Sequence, residues 1–151
     1  MNTETYRKIL RMAIREEAAA LAFYQGVADR TRDNNLKKLF ADLAAEERQH
    51  RVTLEGFLGR PAESLKFDTA TDYQVADEVE APDLTPDLKP LDGITIAIHK
   101  ELAAMQMYTQ LANRSTDPDQ KKTFSELASM ERGHKARLED IYVNMAFPEV
   151  W

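Results

Sequence analysis

Residues 14–55 of this chain return, 84 positions later, as residues 98–139, with eighteen of the 42 positions identical. The matched pairs include Ile14/Ile98, Glu17/Glu101, Tyr24/Tyr108, Asp33/Asp117, Phe40/Phe124, Leu43/Leu127, Glu47/Glu131, His50/His134 and Leu54/Leu138. Such a chain carries one structural unit twice. If each copy has an apolar face, neither can bury it alone, and the two should pack on each other about a pseudo-twofold axis.

The unit reads as a helical hairpin. A first helix is predicted over about residues 3–30, where Ile9, Met12, Ala13, Ala20, Phe23, Tyr24 and Val27 recur at helical spacing. A second runs over about 34–58, with Leu36, Leu39, Phe40, Leu43, Leu54 and Phe57 on one stripe. The third is predicted from Asp92 to Arg114 and the fourth from Pro118 to Ala146. Asp117-Pro118 puts a capping side chain before a proline at the first helical position, and Asp33-Asn34 stands in the equivalent place. Both connections are short, so helices 1 and 2 should be antiparallel neighbours, and likewise helices 3 and 4.

Residues 59–90 hold Pro61, Pro82, Pro86 and Pro90 and no sustained helical pattern. A structureless connection this long is uncommon inside a compact domain. It is explained if helix 2 ends at one end of a bundle and helix 3 starts at the other. A 25-residue helix is about 37 Å long, and a crossover must cover that distance. Residues 1–151 are thus expected to form a single all-α domain. It is an antiparallel four-helix bundle of two repeated hairpins, 3–58 and 91–146, joined by a crossover over 59–90.

Composition narrows the function. Cysteine is absent, which removes disulfides, thiol catalysis and cysteine-ligated metals from these residues. The net charge of −6 argues against a general nucleic-acid binder. No run of about 18 apolar residues is present, so no membrane span is expected. The first residues lack the apolar core of a secretory signal, which makes the cytoplasm the expected compartment.

Two of the three histidines follow a glutamate by three positions, as Glu47-Arg48-Gln49-His50 and Glu131-Arg132-Gly133-His134. Residues i and i+3 share a helix face, so a carboxylate and an imidazole can reach one point. Helices 1 and 3 each add a matched acid, Glu17 and Glu101. Glu17 is preferred to Glu16 because the repeat partner of Glu16 is Lys100, which suits a solvated face. Ala13, Ala20, Ala97 and Ala104 flank the two acids one turn away and leave room for inward-pointing ligands.

The expected metal ligands are therefore Glu17, Glu47, His50, Glu101, Glu131 and His134. Single Glu, Glu-x-x-His, single Glu, Glu-x-x-His is the ligand order of di-metal carboxylate bundles. Four carboxylates balance two divalent ions, and without metal they would repel one another in a core. A lone Glu-x-x-His is usually a surface pair. Two of them, with two further acids, in the register of a repeat are not explained that way. Duplication also copies surface residues, as Arg48/Arg132 and Lys37/Lys121 illustrate. Tyr24 and Tyr108 either donate hydrogen bonds to the ligand carboxylates or are core aromatics with a satisfied hydroxyl. His99 reads as a surface residue, and Met105, Met107 and Met130 read as core packing.

On these residues the chain resembles the rubrerythrin family of the ferritin-like superfamily. The likeness spans about residues 5–58 and 92–146. It rests on Glu17 with Tyr24, Glu47-x-x-His50, Glu101 and Glu131-x-x-His134, and on the segments IREEAAALAFY and LFADLAAEERQH. The resemblance implies two iron ions, O2 or H2O2 as substrate, an external electron donor and a homodimer. Manganese would also suit the donors. Two departures stand out. Rubrerythrins commonly carry a cysteine-ligated rubredoxin centre, for which this sequence has no cysteine. They also carry a further glutamate one turn after the helix-3 ligand, where this sequence has Ala104. The reading is a non-haem di-iron oxidoreductase of the peroxidase or ferroxidase type. An iron-handling protein without turnover, or a structural bundle with a vestigial site, remains open at this point.

Overall fold

The computed structural model describes residues 3–60, 84 and 88–146. Four helices follow one another: α1 (Thr3–Arg30), α2 (Asn34–Leu58), α3 (Pro90–Arg114) and α4 (Pro118–Ala146). Helix α3 starts two residues earlier than the periodicity suggested. Pro90 takes its first position, where a missing N–H costs nothing, and Gly93 N already donates to Lys89 O at 2.9 Å. Most of the expected 59–90 crossover, residues 61–83 and 85–87, lies outside the described residues.

Side chains close both hairpin turns. Asp33 Oδ1 accepts from Asn35 N and Leu36 N at 2.9 and 3.2 Å. Asp117 Oδ2 accepts from Gln120 N at 2.9 Å, and Gln120 Nε2 donates to Ser115 Oγ at 3.0 Å. Each cap satisfies helix N–H groups that have no partner of their own, an effect of about 1 kcal/mol.

The apolar side chains form two clusters, one near each end of the bundle. One joins Tyr6, Ile9 and Leu10 from the start of α1 to Leu54 and Phe57 from the end of α2. It adds Tyr108 and Leu111 from the end of α3 and Phe124 and Leu127 from the start of α4. The other joins Phe23, Tyr24 and Val27 of α1, Phe40 and Leu43 of α2, Ile94 and Ala97 of α3, and Leu138 and Ile141 of α4. Helix α2 therefore ends at the first cluster while α3 starts at the second, at the opposite end of the bundle. Leu84 is buried in the second cluster. The result is the ferritin-like four-helix arrangement.

The repeat is visible in the packing. Tyr24 and Phe40 lie 6.0 Å apart between ring centroids in one cluster, and their counterparts Tyr108 and Phe124 lie 6.5 Å apart in the other. Met107 is buried and Met105 partly so, as expected. Met130 corrects the expectation of core packing, since it is 39% exposed. It stands one residue, about 100° of helix, from the inward-facing Glu131. No helix among the described residues is long and apolar enough to cross a membrane.

Candidate metal centre

Between the two apolar clusters six polar side chains are buried together. Glu17 comes from α1, Glu47 and His50 from α2, Glu101 from α3, and Glu131 and His134 from α4. None is more than 4% exposed. The structure thus brings together all six residues singled out from the sequence. Ala13, Ala20 and Ala97 are buried beside them, and these small side chains leave the carboxylates space to point inward. Glu16, by contrast, is exposed and pairs with its repeat partner Lys100 at 3.1 Å.

Reciprocal contacts across the pseudo-twofold axis fix the site. Tyr24 Oη donates to Glu101 Oε1 at 2.6 Å, and Tyr108 Oη donates to Glu17 Oε1 at 2.6 Å. His50 Nδ1 lies 2.7 Å from Glu131 Oε1, and His134 Nδ1 lies 2.7 Å from Glu47 Oε1. The two imidazoles stack with centroids 5.5 Å apart and planes 12° from parallel. Each hydroxyl–carboxylate and imidazole–carboxylate pair spans the two hairpins. Both tyrosines, left open by the sequence, are hydrogen-bond donors to the carboxylates.

The donor set fits divalent metal. Glu17, Glu47, His50 and Glu131 offer ligand atoms within 4.8 Å of one another, and so do Glu47, Glu101, Glu131 and His134. The two groups share Glu47 and Glu131. Glu17 Oε2, Glu47 Oε2, Glu101 Oε2 and Glu131 Oε1 are buried without a hydrogen-bond partner among the described residues. Buried carboxylate oxygens without donors are costly unless a cation neutralises them.

Without metal the cluster is electrostatically strained. Burial, and then the neighbouring Glu47 charge, push Glu101 up to about 7 against the opposing pull of His134. Burial would lower the His134 pKa, but the Glu101 and Glu47 carboxylates outweigh it and raise it to about 9. Burial would likewise raise Glu47, yet His134 and His50 hold it below the usual glutamate value. Tyr24 and Tyr108 are driven well above the ordinary tyrosine value, chiefly by burial and secondarily by nearby carboxylates, so both keep their protons and donate.

Two residues of the site were missed from the sequence. Glu46 Oε2 lies 2.5 Å from His134 Nε2 and accepts from Arg137 Nη2 at 2.6 Å. Burial alone would raise the Glu46 pKa, but the Arg137 hydrogen bond and the His134 ring outweigh it, and the carboxyl stays ionised. The available signal was a break in the repeat: the partners of Glu46 and Arg137 are Met130 and Thr53. Ala104, one turn beyond Glu101, is partly buried against the apolar cluster at the α1 N-terminal end and adds no carboxylate. His99 is exposed, as expected.

Comparison with known proteins agrees with this geometry. The structure is similar to that of a hypothetical protein, Pfu-1136390-001, from Pyrococcus furiosus. The TM-score is 0.73 at 25% identity, over 96% of this chain and 92% of that one. No curated protein gives a significant match. The family model described as Rubrerythrin matches residues 8–142, nearly the whole chain and every residue of the centre, and on that evidence this chain belongs to the rubrerythrin family.

Proposed function

We propose that the protein is a non-haem di-iron oxidoreductase that acts on H2O2 or O2. The observation that carries this reading is the pair of four-residue ligand groups sharing Glu47 and Glu131. Those two carboxylates would be common to both irons. Glu17 with His50 would complete one iron position, and Glu101 with His134 the other. Four carboxylates and two divalent ions sum to neutrality, which removes the cost of burying either alone. Two Fe(II) ions held there would supply two electrons together to an O–O bond, one from each as it becomes Fe(III).

The protein's part is placement and exclusion. Tyr24 and Tyr108 hold Glu101 and Glu17 by one oxygen each, leaving the other oxygen to the centre. The clusters above and below exclude bulk water, which strengthens every charge interaction between them. These residues hold no cysteine and so no cysteine-ligated redox centre, and the reading calls for electrons delivered from outside them.

Anaerobic Fe(II) loading of metal-free protein, followed by separate stopped-flow mixing with O2 and H2O2, tests the proposal. About two irons per chain and oxidation by at least one oxidant are expected. Two bound irons inert to both would overturn it. One observation favours a second reading, iron handling without turnover. The side chain one turn after Glu101 is Ala104, so a fifth carboxylate is missing there. A cellular reductant separates the two: an enzyme returns to its ferrous state with the iron retained, whereas a handling protein releases it.

A further inference from the structure

The centre is nearly symmetric in its ligands but not in what stands behind its histidines. His134 is hydrogen-bonded through both ring nitrogens, Nδ1 to Glu47 and Nε2 to Glu46. His50 Nδ1 and Nε2 are both buried, and neither has a hydrogen-bond partner among the described residues. Its 2.7 Å approach to Glu131 is a charge contact without hydrogen-bond direction.

The cause is written in the repeat. Glu46 reaches from α2 to the outer nitrogen of His134 on α4, and Arg137, one turn beyond His134, anchors it. Applying the 84-residue offset, the equivalents beside His50 are Met130 and Thr53. A methionine cannot accept the imidazole proton with a carboxylate's strength, and the Thr53 hydroxyl is turned back to Gln49 O at 3.1 Å.

We propose that Glu46, anchored by Arg137, is a positioning residue for His134, and that it makes the two metal positions unequal, the Glu101/His134 position binding first and more tightly. A carboxylate on the outer nitrogen fixes the tautomer with its proton on Nε2. It orients the ring and strengthens Nδ1 as a donor, and losing such a partner typically costs about 10–100-fold in metal affinity. His50 must settle its tautomer and orientation when metal arrives. The inference rests on the two-metal reading above.

Anaerobic titration of the metal-free protein with Co(II), followed by its visible absorption, tests it. Wild type should bind in two steps about 10–100-fold apart. E46Q and E46A should weaken the first step by that factor and leave the second nearly unchanged, so that the steps merge. Glu46 is 35% exposed, so both variants should fold; thermal unfolding of the metal-free forms checks this. H50A should keep the tight step, and H134A should lose it. In H134A, adding E46A should change nothing further. Zn(II)-loaded protein gives a readout independent of affinity: one imidazole N–H shifted downfield in the NMR spectrum by its carboxylate partner, the shift lost in E46A. Equal steps in wild type, or equal weakening of both by E46A, would overturn the proposal. A stoichiometry other than two per chain would instead overturn the two-metal reading beneath it.

Discussion

Replacing Gly93 by alanine should destabilise the protein, although helix propensity alone argues the opposite. Gly93 lies in the first turn and a half of α3, and an added methyl would stand 2.2 Å from Cε1 and Cζ of Phe23 on α1. Ordinary carbon contacts are about 3.5–4.0 Å, so the ring must retreat by more than about 1 Å. It has nowhere to go: Phe23 is fully buried and packs edge-on against Tyr24 at 5.8 Å. Overpacking of this kind costs roughly 1–3 kcal/mol, while a mid-helix glycine-to-alanine change gains at most about 1 kcal/mol. The first turn realises less of that gain, which leaves a net loss of about 1–2 kcal/mol. For a domain of this size the loss lowers the midpoint by roughly 3–6 °C. Thermal unfolding of metal-free G93A measures it, and the same substitution should cost less in an F23L background, which lacks the clashing ring atoms. A midpoint at or above wild type would refute the reasoning. So would strictly additive effects of the two substitutions, since neighbours in contact should couple.

Three further outcomes are expected. The double variant E47A/E131A should lose most iron binding, because both ligand groups contain these two residues; full retention of two irons on metal analysis would count against the centre. In the metal-free protein, Glu101 at about 7 and His134 at about 9 both bind protons more tightly folded than unfolded. Stability from Glu101 is full below about 4.5 and is lost as pH rises through about 7; that from His134 is full below about 6.5 and is lost through about 9. Glu47, held low, has the opposite sign, but its loss falls below pH 4.5. The metal-free midpoint should therefore rise from pH 9 to 5.5 while that of the metal-loaded protein falls, because acid competes with metal; parallel curves would contradict this. Y24F should cost the metal-free protein about 1–3 kcal/mol in denaturant unfolding, since Glu101 Oε1 loses its 2.6 Å donor inside the core.

The bundle and the six polar side chains that meet at its centre were legible because both depend on spacing within one helix. The recurrence of Glu47 with His50 and of Glu131 with His134 names a face, and the proline at 118 names a start. Relations between helices were harder to read. Tyr24 lies on the same side of α1 as Glu17, yet its hydroxyl goes to Glu101, because a helix side chain reaches across the bundle rather than along its own axis. Glu46 was passed over because it is one residue from Glu47 and so points about 100° away. Its length still brings it to the outer edge of His134. Gly93 shows no pattern in the sequence; its meaning is the Phe23 ring opposite. Met130 fails as a core residue for the same reason that Glu46 succeeds as a partner, since the position faces the bundle's rim.

The crosswise bonding has a consequence for a cut chain. Each tyrosine and each histidine that steadies a carboxylate reaches to the other hairpin, so neither hairpin holds a finished centre by itself. A nick between residues 60 and 84 would leave α1–α2 and α3–α4 covalently intact as two separate molecules. The apolar clusters would still draw them together, metal would add a reversible crosslink, and the gain in fragment affinity on adding metal would read the energy of the centre apart from that of the packing.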